Sequence, residues 1–98
     1  MLRRAVTVNK RPGLHLKPAA SIVALAQRFR SEIRLVRDDR IANAKSIMGV
    51  LGLEAEYGAH LTIEVEGEDE KEAMECLVQL VNNNFELPQD TRDGPDQD

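Results

Sequence analysis

The chain has 98 residues, a formal net charge of −4 and 42% hydrophobic residues. A chain of this length forms one domain with a single core. Its one cysteine, Cys76, excludes an internal disulfide and is interpreted as a packing residue on a helix. No apolar run approaches the ~20 residues of a membrane span, and the N-terminus lacks a signal-peptide core. We therefore expect a cytoplasmic protein without membrane insertion.

Positive and negative charges are separated along the chain. Residues 1–45 contain 11 Lys/Arg and 3 Asp/Glu, whereas residues 46–85 contain 1 and 9. The basic first half, which includes Lys10, Arg11, Lys17 and Lys45, favours acidic proteins or phosphate groups as partners. An acidic overall balance and only three aromatic residues argue against nucleic acid.

The first predicted elements are a strand over Arg4–Val8 and a helix from about Leu16 to Arg30. Gly13 permits a sharp turn before this helix, and Pro18 fits its first turn, where a missing N–H costs little. An apolar stripe at helical spacing supports the helix, and it consists of Ala19, Ile22, Val23, Ala26 and Phe29.

Four further elements follow in the remaining sequence. Alternation predicts a second strand around Ile33 and Leu35, and a third strand around Ile41 after a tight turn. A short helix is predicted over Ser46–Leu53, although its two glycines weaken it. A fourth strand and a last helix complete the series; their predicted core residues are Leu61, Ile63, Val65, Ala73, Leu77, Leu80 and Val81, with Asp69, Glu70 and Glu72 at the start of the helix.

The order β-α-β-β-α-β-α, with strands that have one polar and one apolar face, predicts an α+β domain of two layers. Helices would cover the apolar face of a four-stranded antiparallel sheet. We assign residues 1–87 to this domain. Residues 88–98 offer no apolar side chain except proline for a core, so we expect a disordered acidic tail.

The segment Gly13-Leu14-His15-Leu16-Lys17-Pro18-Ala19-Ala20 contains the strongest candidate site. A helix N-terminus has unpaired N–H groups and a partial positive charge, so it is suited to an anion. His15 would add a nucleophilic nitrogen to that anion site, an arrangement typical of a phosphoryl group held on imidazole. The alternative is that His15 only caps an amphipathic helix, and residue types alone leave both interpretations open.

Other candidate sites are weaker. His15, His60 and Cys76 lack metal-ligand spacing, and no glycine-rich nucleotide loop is present. We expect no metal and no cofactor, and we interpret His60 as a surface or packing residue. Ser46 stands at the start of the short helix, where its simplest role is an N-cap.

The histidine segment and the later Asn43-Ala44-Lys45-Ser46-Ile47-Met48-Gly49-Val50-Leu51 together resemble the HPr family. These are the histidine-containing phosphocarriers of the bacterial phosphoenolpyruvate-dependent sugar phosphotransferase system. The resemblance spans roughly residues 3–86 and implies an open-faced sandwich of four antiparallel strands with three helices on one face. It also implies a carrier rather than a stand-alone enzyme.

The resemblance implies roles for particular residues. His15 would accept a phosphoryl group on Nδ1 from Enzyme I and pass it to sugar-specific IIA components. The backbone N–H groups of Leu16 and Lys17, with the Lys17 ammonium, would face the phosphoryl oxygens. The family motif has arginine at position 17, and lysine keeps the charge but loses the planar fork that binds two oxygens.

Two further roles follow from the resemblance. Ile47, Met48 and Leu51 match an exposed apolar patch that docks partner proteins, although on a short helix they could also be core residues. Ser46 matches a serine that HPr kinase/phosphorylase modifies in many members, which would link the chain to a transcriptional regulator. We therefore predict a monomeric phosphocarrier; the alternative is a regulatory interaction protein controlled at Ser46, with little role in sugar transport.

Overall fold

The structure, a computed structural model, describes residues 1–86. This part of the chain contains four strands and three helices in the predicted order: β1 (Leu2–Thr7), α1 (Leu16–Ala26), β2 (Glu32–Arg37), β3 (Arg40–Asn43), α2 (Ile47–Gly52), β4 (His60–Glu66) and α3 (Glu70–Asn82). None of the three helices is long and apolar enough to cross a membrane.

The four strands form one antiparallel sheet in the order β1-β4-β2-β3. In the centre of the sheet Leu35 pairs with Ile63, and both side chains are buried. The alternation predicted for β4 is confirmed, because Leu61, Ile63 and Val65 are all buried. The α+β prediction, with an antiparallel sheet under helices, is therefore correct.

The helices place their predicted apolar stripes against the inner face of the sheet. α1 buries Ala19, Ile22, Leu25 and Ala26, and α3 buries Ala73, Met74, Leu77, Leu80 and Val81. The short helix α2 buries only Val50 and packs against α1 and β3. One core thus joins all three helices to one face of the sheet, and burial of these side chains provides most of the stabilisation.

The bounds of three predicted elements differ in the structure. α2 spans Ile47–Gly52 rather than Ser46–Leu53, since Ser46 is its N-cap residue. β1 spans Leu2–Thr7 rather than Arg4–Val8, because the Val8 N–H bonds to the Ala59 carbonyl (2.9 Å) after the ladder with β4 has ended. α1 ends at Ala26 rather than Arg30. After Ala26 the chain tightens, since the Arg28 N–H bonds back three residues to Leu25 instead of four.

The side chain of Asp69, the residue before α3, binds the loop that follows α1. Asp69 accepts hydrogen bonds from the backbone N–H groups of Arg30 and Ser31 (both 2.9 Å) and from the Ser31 hydroxyl (2.5 Å). These bonds, the Ser31 hydroxyl first among them, lower the pKa of Asp69 to about 2. Asp69 was predicted to favour the start of α3, and it is the N-cap residue, but its carboxylate binds the α1–β2 loop instead of its own helix.

The predicted division between residues 1–87 and 88–98 lies at the edge of the described region. The acidic tail falls wholly outside the residues that the structure describes, so its expected disorder stays a prediction.

Candidate functional site

His15 is the N-cap residue of α1, as the sequence predicts. Its backbone is extended (φ −82°, ψ −172°), and its carbonyl accepts the Ala19 N–H at 3.0 Å. The imidazole is exposed and makes no capping hydrogen bond to the helix. The His15 side chain therefore takes no part in capping α1, and its ring nitrogens are accessible to another reactant.

The first N–H groups of α1 lie at the same helix end as this imidazole. Within residues 1–86 the backbone N–H groups of Leu16 and Lys17 donate to no protein acceptor, and Pro18 has no N–H at all. The eleven residues of α1 align their peptide dipoles behind these groups. An exposed nucleophile and two unpaired donors thus share one helix N-terminus, where an anion is stabilised.

The chain before His15 is fixed by the α2–β4 loop. The Leu14 N–H bonds to the Ala55 carbonyl (2.8 Å), and the Tyr57 N–H bonds to the Pro12 carbonyl (3.1 Å). Leu14 is buried, so its side chain holds this segment against the core. One residue earlier Gly13 has a φ of +140°, a conformation that disfavours any other residue. These contacts determine where the imidazole of His15 stands.

His15 lies in the wall of an open cleft of about 740 Å³. The other residues that line the cleft are Leu14, Leu16, Arg37, Leu51, Glu54, Ala55 and Glu56. The cleft therefore joins the start of α1, the end of α2 and the end of β2, and it combines apolar side chains with charges of both signs.

Lys17 lies on another side of the helix start. Its exposed side chain lines a small groove with Lys10, Pro18 and residues 84–86. Beyond the end of α3, Asn84 and Phe85 both have positive φ, and Phe85 is buried in the core. The prediction that the Lys17 ammonium faces phosphoryl oxygens stays a prediction.

α2 begins with the cap that the sequence predicts. The Ser46 hydroxyl accepts the Gly49 N–H at 3.2 Å, and the Ser46 carbonyl accepts the Val50 N–H at 3.0 Å. The Lys45 ammonium donates to the Phe29 carbonyl (2.7 Å), just after the end of α1. The start of α2 is thus tied to the end of α1, and Ser46 is half-buried at this junction.

The three apolar residues predicted for docking differ in exposure. Met48 is 75% exposed, whereas Ile47 and Leu51 are half-buried and pack against the core. Leu16 is 65% exposed and lines the same cleft as Leu51. The apolar surface beside His15 therefore includes Leu16, whose side chain the sequence analysis did not assign.

His60 and Cys76 have ordinary structural surroundings. His60 is exposed at the start of β4, and its Nδ1 lies 3.2 Å from the Thr7 hydroxyl of the neighbouring strand. Cys76 is half-buried on α3 and packs against the core, and burial raises the pKa of its thiol. Both positions agree with the roles expected for them.

Arg37 is another cleft residue that was not predicted from the sequence. Ile33 and Leu35 face the core, so the two-residue period places Arg37 on the same face, at the end of β2. The alternation of β2 could have indicated this position, because a charged residue that follows two core residues at the same spacing often lies where the strand leaves the core.

Comparisons with known proteins identify the family. A family model described as "PTS HPr component phosphorylation site" matches residues 2–83. The chain belongs to the HPr family. The phosphocarrier protein HPr of Treponema pallidum is 48% identical over 86 residues, which cover 88% of this chain and 98% of that protein.

Two further relatives show the range of the HPr family. The HPr-like protein Crh of Bacillus subtilis is 42% identical over 81 residues, which cover 83% of this chain and 95% of Crh. The crystal structure of HPr-C-His from Thermoanaerobacter tengcongensis superposes with a TM-score of 0.85 at 36% identity. The superposition covers 91% of this chain and the whole of the Thermoanaerobacter tengcongensis chain, so the two proteins share the complete fold of that relative.

Proposed function

We propose that this chain is a phosphoryl carrier that accepts a phosphoryl group from phospho-Enzyme I on His15 and passes it to IIA components. The observation that carries the proposal is the position of the His15 imidazole. It is exposed, makes no hydrogen bond to the helix, and lies beside the unpaired N–H groups of Leu16 and Lys17. Membership of the HPr family supports the same chemistry. A pure binding module has no need of a nucleophile at this position.

The transfer forms one bond and breaks one bond. A ring nitrogen of His15, Nδ1 in the family, donates its lone pair to phosphorus, while the bond between phosphorus and the donor breaks and its electron pair stays with the donor. The N–H groups of Leu16 and Lys17 stabilise the phosphoryl oxygens, as does the Lys17 ammonium. Transfer to a IIA component reverses these steps, so the chain ends unmodified.

Labelling tests this assignment. Incubated with labelled phosphoenolpyruvate and Enzyme I from its own host, the chain should gain one phosphate that is acid-labile and alkali-stable, as a P–N bond requires. His15→Ala should gain none, whereas His60→Ala, which removes the other exposed histidine, should label like the parent. Equal labelling of the His15→Ala variant would exclude the carrier mechanism. Addition of a IIA component should then remove the label.

The partner surface in this proposal consists of Ile47, Met48 and Leu51 together with Leu16. Met48 and Leu16 provide the exposed area, and Leu51 continues it into the cleft beside His15. An apolar centre next to a basic region is suited to an acidic protein partner. Enzyme I and the IIA components would use this same surface in turn, so they would compete for the carrier.

A regulatory function is the second candidate, because Crh of Bacillus subtilis, a relative 42% identical to this chain, is named the catabolite repression HPr. In this version HPr kinase/phosphorylase modifies Ser46, and the modified chain binds a transcriptional regulator while His15 carries little phosphate. The Ser46 hydroxyl that would be modified is half-buried and accepts the Gly49 N–H. Rapid labelling of His15 by Enzyme I separates the carrier from this alternative.

We place the carrier in the cytoplasm, as a monomer without a nucleic-acid partner. The apolar surface of Leu16, Met48 and Leu51 beside His15 is the one proposed for partner proteins, so self-association through it would block transfer. Analytical ultracentrifugation of the unmodified chain should give a single species of monomer mass, and a stable dimer would contradict this assignment.

A further inference from the structure

Arg37 occupies an unusual position in the His15 cleft. It is the last residue of β2, on the inner face that Ile33 and Leu35 share, and its side chain is half-buried. Arg37 lines the cleft beside the end of α2, where it contacts Leu53, whereas His15 and Leu16 line it at the start of α1. A positive charge of this chain thus shares a cavity with the exposed imidazole, although the two residues are far apart in sequence.

The charge of Arg37 differs from that of its neighbours in having no counter-ion. Arg34 pairs with Glu64 (3.1 Å), and Arg40 pairs with Glu54 (3.2 Å). Arg37 instead donates from Nη1 to a neutral group, the Leu53 carbonyl, at 3.0 Å. Among residues 1–86 no carboxylate oxygen lies within 4.0 Å of its guanidinium.

Neither of the two carboxylates that line the cleft forms an ion pair with Arg37. Glu54 is held by Arg40, and Glu56 lies on the loop that pairs with Gly13. A half-buried guanidinium with free N–H donors has lost part of its hydration without gaining an ion pair. It therefore binds an incoming carboxylate more strongly than a fully solvated arginine does.

We propose that Arg37 is a partner-recognition residue that binds a carboxylate of the protein that delivers the phosphoryl group to His15. The inference rests on the proposed carrier function and names one contact within it. The cleft is open and about 740 Å³ in volume, enough for a few side chains of a protein partner. In that cleft Leu16 and Leu51 would make apolar contacts with the partner, and Arg37 would form an ion pair with the partner's carboxylate.

Steady-state phosphorylation by Enzyme I measures this contact, with the carrier as the varied substrate. Arg37→Gln keeps a donor for the Leu53 carbonyl but removes the charge. The KM for the carrier should rise about fivefold or more, with kcat within about twofold of the parent. Salt should raise the KM of the parent more steeply than that of the variant, because the variant has lost an ion pair across the interface.

Arg40→Gln is the matched control, because Arg40 also donates to a carbonyl at the end of α2, that of Gly52 at 3.4 Å. Its charge is already neutralised by Glu54. Arg40→Gln should therefore leave the KM unchanged. Arg37→Lys keeps the charge and should restore most of the affinity. Thermal melts of each variant show whether the end of α2 has been disturbed.

The outcomes separate this inference from the carrier function. If the parent accepts no phosphate from Enzyme I, the carrier function fails and Arg37 loses its role with it. If the parent is phosphorylated and Arg37→Gln has the parental KM, only the Arg37 inference fails. A lower kcat at constant KM would also overturn it, because Arg37 would then contact the phosphoryl group instead of a partner carboxylate.

Discussion

Gly13 lies in direct backbone contact with Ala55. A Cβ atom added to Gly13 would stand 2.6 Å from the Ala55 carbonyl oxygen, closer than side-chain carbons approach. The same carbonyl accepts the Leu14 N–H at 2.8 Å. The contact between the α1 start and the α2–β4 loop thus depends on the missing side chain of Gly13, and His15 follows two residues later.

Replacement of this glycine should disturb both stability and transfer. In Gly13→Ala the added methyl group clashes with the loop, and the φ of +140° is unfavourable for alanine, so we expect a loss of ~1–3 kcal/mol. Phosphorylation of His15 should slow because the imidazole moves. Gly52→Ala is the control, since nothing lies within 4 Å of its added Cβ atom, and it should melt at or above the parental temperature. Urea unfolding and Enzyme I assays measure both effects, and parental behaviour of Gly13→Ala would contradict the account.

The charge of Lys17 should matter more than its shape. If its ammonium neutralises phosphoryl oxygens at the α1 N-terminus, Lys17→Glu should slow phosphorylation by about tenfold or more. Lys17→Arg should be neutral or faster, because a guanidinium fork binds two oxygens. Lys71→Glu, on the exposed side of α3, makes the same change in net charge and serves as the control. If Lys17→Glu is phosphorylated as fast as the parent, Lys17 has no role in phosphoryl transfer.

Ser46 combines a cap with a proposed regulatory site. Ser46→Ala removes the acceptor of the Gly49 N–H and should lose ~1 kcal/mol of stability while transfer to His15 continues. Ser46→Asp keeps an acceptor at the N-terminus of α2, so its melting temperature should stay within a few degrees of the parent. Its charge beside the docking surface should nevertheless slow phosphorylation by Enzyme I. If Enzyme I phosphorylates Ser46→Asp at the parental rate, Ser46 caps α2 but does not regulate transfer.

Asp69 makes the stability of the loop after α1 depend on pH. Its folded pKa of about 2 lies below the ordinary value of 3.8, so the carboxylate form is favoured by folding. This contribution is complete above the ordinary pKa and is lost as the pH falls through about 2. Asp69→Asn should therefore lower the melting temperature at neutral pH, and the difference from the parent should shrink in acid. Asp39→Asn, in the exposed β2–β3 turn, should show no such trend.

The parts of this structure that follow local rules were predictable from the sequence. The two-residue period placed Leu61, Ile63 and Val65 in the core, and the α1 stripe placed Ala19 and Ile22 there. His15 at the helix start followed from Gly13 and Pro18. The cap by Ser46 likewise depends only on residues three positions apart.

Contacts between remote segments were not predictable in this way. The loop after α1 is held by Asp69, which lies 38 residues beyond Ser31. The position of His15 depends on the approach of Ala55 to Gly13, and the cleft depends on Arg37 at the end of another strand. No periodic pattern encodes such pairings, because each requires the folded sheet and helices to bring the partners together.

Peptide mapping of the phosphorylated chain shows whether His15 is the residue that carries the phosphate. The chain is incubated with phosphoenolpyruvate and Enzyme I, digested at alkaline pH to preserve P–N bonds, and examined by mass spectrometry. We predict one phosphate, on the peptide that contains His15, with the peptides of Ser46 and His60 unmodified. Phosphate on His60 or Ser46 with His15 bare would contradict this prediction.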